Sequence, residues 1–177
     1  MFLVVLALVI IPQSRETIQI AFHSILSKFN PVIIHKSAQQ TITYSPWVLR
    51  DLKGNEMEYS DTKNQVVFLN LWATWCPPCI AEFQGIQELY NDYKNDVVFL
   101  LVSDETPIAI QNFLKKNGYD INVFIPMTKY PIDFNPKSIP RTYIIDSKGS
   151  IVIDKKGAAN WSSSKVRKIL NKLLKES

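Results

Sequence analysis

Apolar and polar positions along the chain divide it into two unlike parts. Met1 to Ile11 is an uninterrupted apolar run, and after Ser14 the residues Ile18, Phe22, Ile25, Leu26 and Phe29 recur at helical spacing up to Asn30-Pro31. Beyond residue 40 the pattern becomes that of a folded domain. Trp47 to Leu52 and Glu56 to Tyr59 flank Lys53-Gly54-Asn55, which predicts two short strands around a turn. Gln65 to Leu71 is a near-continuous apolar run, as expected of a central strand covered on both faces. From Pro77, the residues Ile80, Phe83, Ile86, Leu89, Tyr90 and Tyr93 follow the 3.6-residue period of a helix, with proline tolerated in its first turn.

Asp96 to Ser103 carries a second buried strand. Thr106-Pro107, then Ile110, Phe113 and Leu114, then Gly118, predict a capped helix with a glycine stop. Asn122 to Ile125 adds a short strand, Arg141 to Asp146 and Ser150 to Asp154 form a hairpin around Ser147-Lys148-Gly149, and a helix from Ser162 places Val166, Ile169, Leu170, Leu173 and Leu174 on one face. This order predicts an α/β fold: a central mixed sheet with helices on both faces and an added N-terminal β-hairpin. Such sheets react at the C-terminal ends of their strands.

The length of 177 residues allows one domain, placed at 41–177, behind an appendage at 1–40. Spanning a bilayer takes about 20 apolar residues, so Met1 to Ile11 is short for a span but suits the core of an export signal. No basic residue precedes the run, which points to a start further upstream. An Ala-x-Ala-like cleavage site is also not evident, so an uncleaved membrane anchor is expected, with a helical hairpin packed on the domain as the alternative. The net charge of +4 comes from lysines scattered over predicted helix faces and turns. No nucleic-acid motif accompanies them, so nucleic acid is not an expected partner.

The two cysteines stand in Trp75-Cys76-Pro77-Pro78-Cys79. A single close pair cannot staple a scaffold, which leaves redox chemistry or a metal. Zinc would need further ligands, and both histidines, His23 and His35, lie in the N-terminal appendage; covalent haem would need histidine at position 80, which is Ile80. No metal is therefore expected. A thiolate attacks disulfides, and a free thiol with a pKa of about 8.5 is mostly protonated at neutral pH. The N-terminus of the helix beginning at Pro77 favours a thiolate on Cys76, and the N–H of Cys79 can point back at it. Pro77 and Pro78 bring no N–H, so the thiolate is stabilised less than in a motif of ordinary residues, which predicts a reductant. Cys79, one turn into the helix and more buried, is placed to resolve a mixed disulfide.

Asn70-Leu71-Trp72-Ala73-Thr74-Trp75-Cys76-Pro77-Pro78-Cys79 resembles the thioredoxin-like superfamily, specifically its extracytoplasmic TlpA/ResA group, and the likeness in element order runs from about Tyr44 to the C-terminus. The resemblance implies a thioredoxin-like fold and a thiol:disulfide oxidoreductase with catalytic Cys76 and Cys79, needing no cofactor beyond that redox-active disulfide. It also implies that Ile139-Pro140 is the cis-proline facing the cysteines and guiding a substrate segment, with Trp75, Pro77 and Pro78 completing the substrate surface; Trp72 reads as core. Glu82 falls where the group carries a glutamate that exchanges protons with the cysteines. On position alone it reads equally as a surface glutamate in a first turn. Asn70 stands where cytoplasmic thioredoxins have a buried aspartate, so proton handling is not assigned to it.

The implied partners are protein thiols and disulfides, such as those of apocytochrome c, and a membrane or periplasmic electron donor. The implied location is the bacterial periplasm or the outer face of the cytoplasmic membrane. A disulfide oxidase or isomerase, and a redox-sensing or assembly module that binds a partner without turnover, stay open. Residues 125–139 contain three interior prolines and no clean helical pattern, so no partner is assigned to them.

Overall fold

A computed structural model describes residues 30–134 and 136–177. The apolar run at Met1 to Ile11 and the helical pattern from Ile18 to Phe29 lie outside the described residues. Seven strands form one sheet: β1 (Val48–Asp51), β2 (Glu56–Glu58), β3 (Val66–Leu71), β4 (Val97–Val102), β5 (Val123–Pro126), β6 (Arg141–Ile145) and β7 (Ile151–Lys156), in the order β2-β1-β5-β4-β3-β6-β7. Among the described residues the three α-helices are α1 (Pro77–Tyr93), α2 (Pro107–Asn117) and α3 (Ser164–Lys175). β3, β4 and β5 are parallel, joined by α1 and α2 as crossovers, while β6 and β7 on one side and β1 and β2 on the other are antiparallel additions. The mixed α/β architecture is the expected one.

Local chemistry sets the boundaries. The α2 helix starts where the Thr106 hydroxyl accepts the N–H of Ala109 and stops at Gly118, which turns left-handed at φ 68°. The last helix begins two residues later than Ser162, because the Ser163 hydroxyl takes the capping bond from the N–H of Val166. Tyr59, expected to end β2, instead opens a 3₁₀ turn at Tyr59–Thr62, closed by reciprocal bonds between Glu58 and Asp61.

All six residues of β3 are buried, and they alternate between two cores. Phe68 faces α1, α2 and α3, whose buried apolar residues, including Phe83, Ile110 and Leu170, all belong to one cluster. Two successive right-handed crossovers running in the same direction put α1 and α2 on the same face. Val67, Leu69 and Leu71 face the other core; helices were expected on both faces, but among the described residues all three α-helices lie on the Phe68 side and the helical cover here is one 3₁₀ turn. Aromatic side chains from loops replace a helix: Trp47, Tyr59 and Phe134 are essentially fully buried, with ring centroids 5.2–5.9 Å apart. Each such ring removes about 150–250 Å² from water, so three of them cover what an apolar helical stripe would. The segment 127–134, which has no helical pattern, thus has a packing role through Phe134.

Ahead of the domain, residues 34–42 run along the outer edge: Ile34 N–H donates to Val152, Ile151 N–H to Gln40 and Ile42 N–H to Gly149, each at 2.9 Å. Among the described residues no helix is long and apolar enough to cross a membrane.

Candidate active site

The C-terminal end of β3 feeds directly into the cysteine motif. Trp72 continues the strand by donating its N–H to Val102, and its ring packs against Phe83 at 4.6 Å and Phe113 at 5.3 Å, a core position as expected. Four residues on, Cys76 is the N-cap of α1, with Pro77 and Pro78 in the first turn. The two cysteines form a disulfide with Cα atoms 5.2 Å apart, and Cys76 Sγ accepts the N–H of Cys79 at 3.3 Å. The prolines contribute no donor to that sulfur. Both cysteines are buried, Cys76 at 3% and Cys79 at 1% exposure, so the expected contrast in accessibility is small. Beside them Trp75 is 67% exposed, a large ring presented to solvent at the mouth of the site.

Glu82 is no surface residue. It lies one turn after Cys79 at 2% exposure and accepts three hydrogen bonds. Oε2 takes the ring N–H of Trp161 at 2.8 Å and the N–H of Ala159 at 3.0 Å; Oε1 takes Nδ2 of Asn70 at 3.0 Å. Burial pushes its pKa up to about 8, against the three donors and Lys155, which favour the charged form. Its carboxyl therefore titrates well above the ordinary glutamate range. Asn70, at the end of β3, also donates to the Thr142 hydroxyl at 2.8 Å, its register partner on β6.

Two more contacts set the approach to the cysteines. Glu105 holds the loop before Cys76, accepting the Thr74 N–H and hydroxyl at 2.6 Å each and the Ser103 hydroxyl at 3.2 Å. The Ile139-Pro140 bond is cis, and the Pro140 carbonyl accepts the N–H of Gly157 at 2.8 Å. Register pairing of Arg141 with Leu71 brings this proline alongside the end of β3, on the cysteine side of the sheet. A cavity of about 340 Å³ is lined by Trp75, Ile139, Tyr130, Glu105 and Lys137 among others.

Sequence reasoning placed Cys76, Cys79, Glu82, Trp75, Pro77, Pro78, Ile139 and Pro140 around one end of the sheet, and the fold brings them there. It missed Trp161, Ala159, Thr142 and Glu105. No pattern could have signalled the first two, since they reach Glu82 across 79 and 77 residues. Glu105 had a weak signal as the acidic residue before the capped start of α2. Among the described residues there is no cluster of His, Cys, Asp and Glu that could hold a metal.

Residues 36–173 match the family model described as Redoxin. The chain belongs to the redoxin family. Within the curated redoxins it is 32% identical over 128 residues to the thiol-disulfide oxidoreductase ResA of Bacillus subtilis, across 70% of this chain and 72% of that one. It is 37% identical over 109 residues to the protein of the same name from Bacillus anthracis, across 60% of this chain and 63% of that one. Among solved structures, a DsbF homologue from Corynebacterium diphtheriae superposes with a TM-score of 0.62 at 17% identity, covering 81% of this chain and 93% of that one. A secreted thiol-disulfide isomerase from Corynebacterium glutamicum gives 0.60 at 20% identity, covering 81% and 89%. The two structures bear on fold alone, which is thioredoxin-like. This redoxin is a ResA-type thiol-disulfide oxidoreductase.

Proposed function

We propose that this redoxin works as a reductase: Cys76 is the nucleophile, Cys79 the resolving thiol, and Glu82 the proton carrier for the pair. The observation that carries the direction is the first turn of α1, where Pro77 and Pro78 leave the N–H of Cys79 as the donor to Cys76 Sγ. A weakly stabilised thiolate makes the dithiol easier to oxidise, which is the character of a reductant. In the cycle, Cys76 gives up its thiol proton and the thiolate attacks a substrate disulfide, the first substrate sulfur leaving as a thiolate that takes up that proton. Cys79, handing its proton to Glu82, then attacks Cys76 Sγ and displaces the second substrate sulfur, which takes the proton on from Glu82. Substrate ends as dithiol and the enzyme as the Cys76–Cys79 disulfide, two electrons and two protons having passed to the substrate. Glu82, with its pKa near 8, takes the proton of Cys79 and returns one when the disulfide is opened again. Trp75, Pro77, Pro78 and the Ile139-Pro140 segment form the surface that receives the substrate strand.

The reading extends to place and partners. The domain at 41–177 stands at the outer face of a bacterial cytoplasmic membrane or in the periplasm, with residues 1–40 as its anchor. Exported proteins whose thiols must stay reduced, apocytochrome c among them, are its substrates, and a membrane or periplasmic dithiol protein is its electron donor. Support comes from the apolar run at Met1 to Ile11 and from the likeness to the ResA proteins.

Two measurements test this. Equilibration against glutathione should give a reduction potential toward that of thioredoxin, about −270 mV, and a value close to about −120 mV, that of a strong oxidase, refutes the reductase. A Cys79→Ser variant expressed in a bacterial host should accumulate exported proteins as mixed disulfides on Cys76. Recovering none would favour a module that binds a partner without turnover.

A further inference from the structure

Asn70 is the one side chain in the Glu82 network whose own hydrogen bonds do not close. Its Nδ2 serves both Glu82 Oε1 at 3.0 Å and Thr142 Oγ1 at 2.8 Å, while its Oδ1, on a residue with no exposed surface, has no partner. A buried amide oxygen left bare needs a reason.

The reason lies in what Glu82 meets when it is protonated. Oε2 faces the indole N–H of Trp161 and the backbone N–H of Ala159, and neither can accept a hydrogen bond. The acid proton therefore belongs on Oε1, whose partner is Asn70. With Nδ2 in place, that O–H would point at an N–H, donor against donor. A half-turn of the Asn70 amide about its Cβ–Cγ bond replaces Nδ2 by Oδ1, which then accepts the proton on Oε1. The Thr142 hydroxyl, able to donate as well as accept, reverses its own bond and follows.

We propose that Asn70 is a positioning residue that turns its amide with each proton Glu82 takes up or gives away, showing Nδ2 to the carboxylate and Oδ1 to the carboxylic acid, with the Thr142 hydroxyl reversing in step. Glu82 then keeps one place in both protonation states, with no water needed in a site walled by protein. An aspartate at position 70, acceptor-only when charged, could not serve the carboxylate, and an apolar residue could serve neither form. The charged group that acts on Glu82 from a packed element is Lys155 on β7, the register partner of Thr142, and Cys79 lies three residues before Glu82 on α1. In the oxidised protein Cys79 is in the disulfide and does not titrate.

This inference rests on the reading of Glu82 as a proton carrier, and one experiment separates the two. Full-length oxidised protein, labelled with ¹³C and ¹⁵N, is titrated by NMR from pH 5 to about pH 10, the range bracketing a pKa raised to about 8. The Glu82 carboxyl carbon reports its proton; the Asn70 side-chain amide signals, and their cross-relaxation with Thr142, report which way the amide points. The expected result is one shared midpoint. In a Glu82→Gln variant the new amide must turn its oxygen to Trp161 and Ala159 and its nitrogen to Asn70, so the Asn70 signals should hold their low-pH positions throughout. A Glu82 carbon that does not titrate in this range refutes the proton carrier. A Glu82 carbon that titrates while the Asn70 signals stay fixed, in the wild type and between it and the variant, overturns the amide turn alone.

Discussion

The indole N–H of Trp161 donates to Oε2 of Glu82 at 2.8 Å, joining the loop before α3 to the helix that carries both cysteines. Trp161 is fully buried and stands edge-on to Phe68, so its ring is fixed by packing before its N–H is aimed. Replacing it by phenylalanine keeps most of that packing and removes the donor from the charged form of Glu82. The pKa of Glu82 should rise above about 8, read from its carboxyl carbon in the oxidised protein, and denaturant unfolding should show a loss of roughly 1–3 kcal/mol for the charged bond. A Glu82 titration that does not move would mean the indole is packing only.

The raised pKa of Glu82 also fixes a pH dependence of stability. An unfolded glutamate titrates near 4.5, so between about pH 5 and pH 8 the folded state holds a proton that the unfolded state has lost. Stability is then greatest at the acid end of that window and falls as pH rises through the folded value. One proton sets a ceiling of about 1.4 kcal/mol per pH unit on the slope. Oxidised protein is the right sample, because its cysteines do not titrate. Urea midpoints measured across this window should decline with pH in the wild type and flatten in Glu82→Gln; parallel curves would assign the slope to other groups.

Much of this site was legible in the chain because its pieces are local. The apolar run of β3, the two cysteines three apart and the helical period after Pro77 need no tertiary knowledge, and together they put a thiol at a helix N-terminus. The surroundings of Glu82 were not legible. Its position marks only a helix face, and what decides its chemistry is burial among Asn70, 12 residues back on β3, and Ala159 and Trp161, from a loop 77 and 79 residues away. The cover of the second sheet face was hidden for a similar reason: Trp47, Tyr59 and Phe134 are separate aromatic residues without a shared period, and only folding assembles them. Periodicity reports regular elements, and among the described residues the cover of this second face is irregular.

Glu105 gives a third test, distant from the proton network. Its carboxylate takes both the backbone N–H and the hydroxyl of Thr74, two residues before Cys76. In Glu105→Ala both donors lose their partner, and the loop should loosen without loss of the fold. The Thr74 amide should exchange its hydrogen faster, stability should drop by about 1–3 kcal/mol, and reduction of a model disulfide peptide should slow. Unchanged exchange at Thr74 would remove Glu105 from the positioning of the motif.

The second proline of the motif offers the most direct test of why this redoxin should reduce. Pro78 occupies the first turn of α1 without an N–H, and Cys79, next in the chain, supplies the bond to Cys76 Sγ at 3.3 Å. A Pro78→Ala variant adds one backbone donor at the end of the helix that faces the sulfur, where the dipole already favours negative charge. The added N–H stabilises the thiolate and leaves the disulfide little changed, so the reduced form gains. The Cys76 pKa should fall and the reduction potential should move upward by on the order of 10–30 mV, since about 30 mV corresponds to a tenfold change for a two-electron couple. Thiolate absorbance against pH gives the first quantity and glutathione equilibration the second. A potential that falls, or stays fixed while the pKa drops, would show that the direction of this enzyme is set elsewhere than in the first turn of α1.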